Sequence, residues 1–298
     1  MSGLGGALRG VIARRIDALQ SRLVSVSREE PKPRISSPPF ISGDLFMANS
    51  DVAIIRASSQ PIILRQANKE ILFIESELVE IRRNRSYAAQ FKAVVVHNGD
   101  HAPSQSAIND LVNSGVKLFA TNTRDDESGR VFAIPIGIEN AHLRRNGSIH
   151  YFNPLGIATT SLKKERDLLV SFSTFTNHAV RGHIEEKLRQ AGYTNQKFSV
   201  IDYRRQLSRS RFVISPPGNG IDCHRTWEAF YHQTVPVVER RHWLFEGHKL
   251  PVLVVGDIDE FMEMSNAERA KRYEEIVSGP YHAIYWDYWM EFIKRHIS

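Results

Sequence analysis

Hydrophobic and polar positions alternate in blocks along most of the chain. From about Ile41, short runs of continuously apolar residues are followed by segments in which apolar positions recur every three or four residues. In the first half the predicted strands are 71–76, 93–99, 117–122 and 131–138. Continuously apolar strands separated by helices are typical of a parallel sheet covered on both faces. The pattern therefore predicts a Rossmann-like, doubly wound α/β domain.

A polar stretch at 139–167 interrupts this alternation, which then resumes. The second half has predicted strands at 167–173, 211–215, 234–239 and 251–258, with helices between and after them. Gly192 fits the C-terminal cap of one helix. We predict two α/β domains, at 41–155 and 156–280, followed by an aromatic-rich helix at 281–298 that packs across them. Its aromatic side chains suit either a buried docking face or stacking on a sugar.

Residues 1–40 have a different pattern. Apolar residues spaced like one face of a helix are followed by a proline-rich linker, and the apolar positions are Leu8, Ile12, Ile16, Leu19, Leu23 and Val26. Arginines flank that face, which is typical of a helix lying on an anionic membrane surface. The same spacing also suits a helix packed against the body of the protein, or against a second copy in a homodimer.

Composition and charge limit the classes of protein to which this chain can belong. The chain has 298 residues, 42% of them hydrophobic and 24% charged, which is typical of a globular protein. The net charge is +6, and residues 1–34 contribute +4 of it, so the folded body is nearly balanced. No basic stripe interleaved with aromatics lies outside the N-terminus, which argues against nucleic acid as a partner.

One cysteine, Cys223, permits no intrachain disulfide. No apolar run is long enough for a secretory signal or a membrane span. We therefore expect a cytoplasmic protein, with the N-terminal helix as a candidate peripheral contact on the inner face of the membrane.

The segment 211–238 carries the clearest chemistry. A buried strand, a Pro/Gly loop and a helix follow one another, with Asp222 as the expected N-cap and Arg225 in the first turn. Free N–H groups at such a helix start, together with an arginine, are suited to phosphate. Glu228, one turn further on, suits the hydroxyl groups of a ribose. The alternative is that Arg225 and Glu228 merely pair with each other or with neighbouring residues on the helix surface.

The same segment, SPPGNGIDCHRTWEAFYHQTVPVV (215–238), resembles the C-terminal signature of exostosin-like glycosyltransferases of the GT-B type. VFAIPIGIEN, after AVVVHNGDH, is similar to the N-terminal half of bacterial members. The resemblance implies two Rossmann-like domains facing a cleft, an inverting reaction, and a nucleotide-sugar donor, most typically a UDP-sugar. It implies that Arg225 contacts the diphosphate, that Glu228 contacts the ribose, and that the loop is lined by Gly218, Asn219 and Gly220.

Other candidate residues complete the predicted site. Arg181, early in a helix that follows a strand, is a second candidate for the phosphates or simply an exposed arginine. The base that deprotonates the acceptor is expected on the opposite domain, where Asp100 and His97 follow a strand; they suit a helix cap or turn equally well. His97 and His101 are spaced like metal ligands but lack a third, so no metal and no tightly bound cofactor is expected.

These features predict a glycosyltransferase acting on a cell-surface polysaccharide or glycolipid acceptor. Two alternatives remain open. One is a non-catalytic Rossmann-type protein that binds a polyanion or a membrane surface. The other is a different nucleotide-dependent enzyme, such as an epimerase.

Overall fold

A computed structural model describes residues 39–65, 70–143, 147, 149, 152 and 164–298. The predicted N-terminal helix and almost all of the linker lie outside the described residues. Within them the chain forms a mixed α/β structure with two mainly parallel sheets, Rossmann-like in its alternation of strands and helices.

The first sheet has six strands in the order β2-β1-β3-β4-β5-β6. They are β1 (Val52–Ile54), β2 (Ile62–Ile63), β3 (Ile71–Glu75), β4 (Ala93–His97), β5 (Lys117–Ala120) and β6 (Val131–Ala133). Only β2 runs antiparallel to its neighbour among these strands. Almost every residue of β3 and β4 is buried, which explains their continuously apolar sequence.

Three helices belong to this half: α1 (Gly43–Ala48), α2 (Arg82–Ala88) and α3 (Gln105–Asn113). Ser104 caps α3, because its hydroxyl accepts a hydrogen bond from the Ala107 amide. Residues of α2 and α3 bury one face of the sheet, and α1 lies against the other.

The second sheet has four parallel strands in the order β10-β9-β8-β7. They are β7 (Arg166–Leu169), β8 (Ser210–Ile214), β9 (Val235–Glu239) and β10 (Leu253–Val255). Its helices are α4 (His178–Gln190), α5 (Val200–Arg209), α6 (His224–Phe230), α7 (Ile258–Glu263) and α8 (Asn266–Val277). Gly192 follows α4 with φ +86°, as expected for a C-terminal cap.

The strand order differs from the prediction in one respect. A doubly wound sheet reverses its strand order at a switch point. In both sheets the described parallel strands instead follow one another in chain order, so the expected reversal is absent there. Helices still cover both faces of each sheet, because apolar side chains point alternately to the two sides of every strand.

The last helix, α9 (Trp286–Ile297), returns to the first sheet. Phe292 packs edge-on against Phe119 and Phe132, and Trp286 packs against Phe46 of α1. These aromatic side chains are buried in the core of the first half, as is Trp289. They are therefore core residues, which leaves the alternative of sugar stacking unsupported for them. None of the described helices is long and apolar enough to cross a membrane.

Candidate active site

A cleft of about 670 Å³ lies where the two halves meet. The first half contributes residues that follow β4 and β6, and the second half contributes residues that follow β7 and β8. The carboxyl ends of strands from both sheets therefore face one space, which is where open α/β sheets bind ligands. Both halves of the protein line the cleft, and the lining residues include Asp100, Glu139, Arg181, Gly218, Asn219, Gly220, Arg225 and Glu228.

Arg181 on α4 holds the wall of this cleft. Its guanidinium is buried and donates to the carbonyls of Pro216, Pro217 and Ser173, at 3.1, 2.8 and 2.7 Å, and to the Thr176 hydroxyl at 2.6 Å. The prediction placed Arg181 among the ligand-binding groups or on the surface. In the structure its N–H groups instead donate to the Pro/Gly loop and to the residues just before α4. Its positive charge has no carboxylate beside it within the described chain.

The glycines of the loop allow other parts of the protein to pack closely against it. A methyl group at Gly220 would lie 2.4 Å from the Asp100 carbonyl oxygen and 2.5 Å from the Asn122 side chain. At Gly218 it would lie 2.9 Å from Arg181 Nη2. Neither glycine has a positive φ among those recorded for the described chain. The loop is thus glycine-rich because two other parts of the chain press against it, and not only because a ligand must approach.

Arg225 lies in the first turn of α6 and is half-buried in the cleft. Its Nε atom is shielded from water and has no hydrogen-bond partner among the described residues. No carboxylate in the part of the chain that the structure describes forms an ion pair with it. Glu228 pairs with Arg204, at 3.2 Å. The predicted alternative is therefore wrong for a pair between Arg225 and Glu228, but confirmed for Glu228 in its other form, a pair with a neighbouring residue.

Two like charges therefore share this wall. Burial lowers the pKa of Arg181, and the positive charge of Arg225 acts in the same direction. Burial also raises the pKa of Cys223, which lies between them, so that thiol is neutral and balances neither charge. Two guanidinium groups that form no ion pair with a carboxylate of the described chain are suited to an anionic ligand.

Glu228 lines the cleft one turn beyond Arg225. Burial raises the pKa of its carboxyl, while the positive charges of Arg204 and His224 oppose the rise. Arg204 is itself buried and stacks on the Phe152 ring, 4.5 Å from the ring centroid. The carboxylate is thus held in a fixed position at the edge of the cleft.

Asp222 has a different role from the predicted N-cap. Cys223 is the residue before the helix, and the Asp222 carboxylate points into the protein. It accepts hydrogen bonds from the Ile136 amide at 2.8 Å and from Trp227 Nε1 at 2.9 Å. Burial raises its pKa to about 6, although these donors oppose the rise. Asp222 therefore joins the start of α6 to the first half.

His97 does not reach the cleft. The ring is buried beside Phe46, Nε2 donates to the Pro135 carbonyl at 3.0 Å, and Nδ1 accepts from the Asn98 amide at 2.7 Å. Both ring nitrogens are occupied, and burial lowers the pKa of His97 to about 4. The structure thus argues against His97 as the base, since no substrate can contact it.

The buried His97 predicts an acid-sensitive fold. Between pH 6.5 and 4 the unfolded chain binds a proton at His97 that the folded protein excludes, so stability falls with falling pH. The loss approaches about 3 kcal/mol at its limit. Burial lowers the pKa of His232 in the same way, while the raised pKa of Asp222 acts oppositely over pH 4–6.

A single variant isolates the contribution of His97. We expect His97→Gln to flatten the decline in unfolding free energy between pH 6.5 and 4, measured by urea denaturation. His101→Gln, at an exposed position nearby, should keep the slope of the unaltered protein. Equal slopes in the two variants would contradict the assignment.

Asp100 lies at the rim of the cleft and is exposed. One carboxylate oxygen accepts from Asn219 Nδ2 at 3.0 Å, and the Asp100 carbonyl accepts from Asn122 Nδ2 at 3.0 Å. The predicted residues of the two halves are therefore brought together here, with Asp100 touching the loop on the opposite side.

Three further residues that line the cleft were not predicted from the sequence as site residues. Glu139 and His224 face each other from the two halves, and Tyr203 of α5 lies beside Arg225. Burial raises the pKa of Tyr203, and the Arg225 charge opposes this rise. Neither His224 nor Glu139 carries a local sequence signal, because the two come together only through the packing of the two halves.

No models of known protein families match this chain, and neither do curated proteins. Among the described residues, no three or more His, Cys, Asp or Glu side chains are grouped so that they could hold a metal ion.

Proposed function

We propose that this protein is an inverting glycosyltransferase that takes its sugar from a nucleoside diphosphate, with UDP-sugars as the leading donors. The observation that carries the proposal is the guanidinium of Arg225, half-buried in the cleft beside Arg181, which forms no ion pair within the described chain and whose Nε atom has no hydrogen-bond partner there. Two neighbouring cations cost free energy when they are taken from water, and a diphosphate offsets that cost.

The shape of the molecule supports the same proposal. Two Rossmann-like units with a cleft at the carboxyl ends of their strands are what a GT-B architecture requires. The second half supplies Arg225 and Glu228, which suit the diphosphate and the ribose of the donor. The first half is then free to present the acceptor.

The reaction follows from these positions. An acceptor hydroxyl oxygen attacks the anomeric carbon as the bond from that carbon to the diphosphate oxygen breaks, and the electron pair leaves with the diphosphate. Arg225 neutralises the charge that develops on it, with Arg181 contributing its charge through the loop. The hydroxyl proton needs a base on the opposite side of the cleft, where the first half presents Asp100 and Glu139.

The acceptor is proposed to be a cell-surface polysaccharide or a glycolipid. This fits a cytoplasmic enzyme at the inner face of a membrane, because the basic residues 1–34 suit anionic lipid. Arg225 and Arg181 would supply the positive charge that the leaving diphosphate needs.

A binding panel tests the proposal. Calorimetric titration of the full chain with UDP-, GDP-, CMP- and dTDP-sugars is expected to give saturable binding to one nucleotide class, and mass spectrometry should then show an acceptor that gains one sugar. Salt-sensitive binding to polyanions alone would favour the non-catalytic binding protein. Donor conversion without gain of mass by any acceptor would favour an epimerase.

A further inference from the structure

Glu139 and His224 meet where the two halves of the protein join. Glu139 follows β6 in the first half, and His224 is the first residue of α6 in the second. Glu139 Oε2 lies 3.5 Å from His224 Nε2, and the two side chains are 26% and 30% exposed. Both line the cleft, so a bound acceptor can reach them.

The His224 ring is held in one orientation. Its Nδ1 lies 2.7 Å from the Gly137 carbonyl oxygen, which only accepts hydrogen bonds, so the Nδ1 proton is directed there. The position of that carbonyl is fixed in turn. Gly137 has φ +66°, and a methyl group on it would lie 2.2 Å from the Ile41 carbonyl oxygen.

This orientation places two hydrogen-bond acceptors, His224 Nε2 and the Glu139 carboxylate, opposite each other. When the ring is neutral and Nδ1 carries the proton, Nε2 is a bare acceptor that faces the Glu139 carboxylate. Two acceptors at this distance are satisfied by one proton between them. The pair is therefore built to receive a proton from a donor such as a hydroxyl group.

Two further carboxyl groups lie within electrostatic reach of His224. The carboxyls of Asp222 and Glu228 are buried, which raises the pKa of each, and His224 is among the groups that oppose the rise. With Glu139, three carboxyl groups therefore lie around the His224 ring.

Asp100 is less suited to the same task. Its carboxylate is exposed at the rim and is engaged by Asn219, and its carbonyl is engaged by Asn122. These contacts tie the loop of the second half to the first half. Asp100 therefore acts in closing the edge of the cleft.

We propose that Glu139 is the base that deprotonates the acceptor, and that His224 is the positioning residue that orients Glu139 and shares the proton. The inference rests on the proposed function. As the acceptor oxygen bonds to the anomeric carbon, its proton passes to Glu139 Oε2 and is held between that oxygen and His224 Nε2. The electron pair of the broken bond leaves on the diphosphate, and the proton later returns to solvent.

The test uses the full chain with water as the acceptor. Nucleotide release is measured for the panel of UDP-, GDP-, CMP- and dTDP-sugars, and donor affinity is measured separately by calorimetry. Glu139→Gln is expected to lower kcat by about 100- to 10,000-fold, the usual contribution of a general base, with donor Kd changed less than about twofold. His224→Gln should lower kcat at unchanged donor Kd, and Asp100→Asn should lose less than about tenfold.

The double variant distinguishes a shared catalytic role of Glu139 and His224 from a role in holding the two halves of the protein together. Residues that act as one unit are non-additive, so Glu139→Gln combined with His224→Gln should lose no more than Glu139→Gln alone. Full kcat in Glu139→Gln, or the main loss in Asp100→Asn, would overturn this inference while leaving the proposed function in place. A wild-type protein that binds and hydrolyses no nucleotide sugar would overturn both.

Discussion

Arg225→Ala is expected to abolish nucleotide-sugar binding and sugar transfer while the protein stays folded. The guanidinium has no ion-pair partner in the described chain, and its Nε atom makes no hydrogen bond, so its removal costs the fold little. Each charge-assisted hydrogen bond to a phosphate contributes about 1.5–3 kcal/mol. Loss of two therefore weakens the donor Kd by at least about 100-fold. Calorimetry of the donor and urea unfolding of the same samples measure the two effects.

Matched variants sharpen that experiment. Arg225→Lys keeps the charge but loses the planar fork, so an intermediate affinity is expected. Arg209→Ala, at the exposed end of α5 with a loose pair to Glu165 at 3.6 Å, should leave binding unchanged. Normal donor affinity in Arg225→Ala would remove the basis of the proposed function.

Arg181→Ala is expected to give the largest loss of stability, about 3–5 kcal/mol. The substitution removes the guanidinium donor from the carbonyls of Pro216, Pro217 and Ser173, in a buried region. Pro216 and Ser173 keep only longer contacts, from the Cys223 thiol at 3.5 Å and the Thr176 hydroxyl at 3.3 Å. A cavity of nearly a whole arginine side chain adds to the cost. The free energy of unfolding in urea is the measurement.

Arg189→Ala on the same helix is the control. Its side chain is 69% exposed and pairs with Glu186 one turn away, so a change within about 0.5 kcal/mol is expected. Arg181→Lys keeps a charge but makes fewer bonds, and its stability should lie between that of wild type and Arg181→Ala. A loss below about 1 kcal/mol in Arg181→Ala would show that the loop holds its shape without this clamp.

Long periodic segments of the sequence predicted the fold well. The strands at 71–75, 93–97, 210–214 and 235–239 lie where continuous apolar runs were seen, and the helices α3, α4 and α8 lie where apolar residues recur at helical spacing. The short elements β1, β2 and α1 were not predicted. Elements of two to six residues are too brief to show a period. β1 and β2 form by pairing with a neighbouring strand, and α1 packs against Trp286 of α9.

Some of the predicted site residues reach the cleft and His97 does not, for a physical reason. Arg225, Glu228 and the loop residues 218–220 are close in sequence, so their common location in the cleft follows from one strand-loop-helix unit. His97 was misplaced because side chains alternate along a strand. It shares the face of Ala93 and Val95, which lies under α1 and away from the cleft.

The contacts between the halves could not be derived from local patterns. Glu139 and His224 are 85 residues apart, and only the packing of two separate sheets brings them to 3.5 Å. Asp222 looked like an N-cap because the residue before a helix start is often an aspartate. One of its actual partners, the Ile136 amide, belongs to the other half of the chain and has no signature in the neighbouring sequence.

The return of α9 to the first sheet has a consequence for synthesis of the protein. Phe119 and Phe132 of that sheet are covered by Phe292, which is made long after them. The first half therefore leaves the ribosome with part of one sheet face uncovered, and its core is complete only once α9 has been made. During that interval the exposed apolar face is open to chaperones and to aggregation.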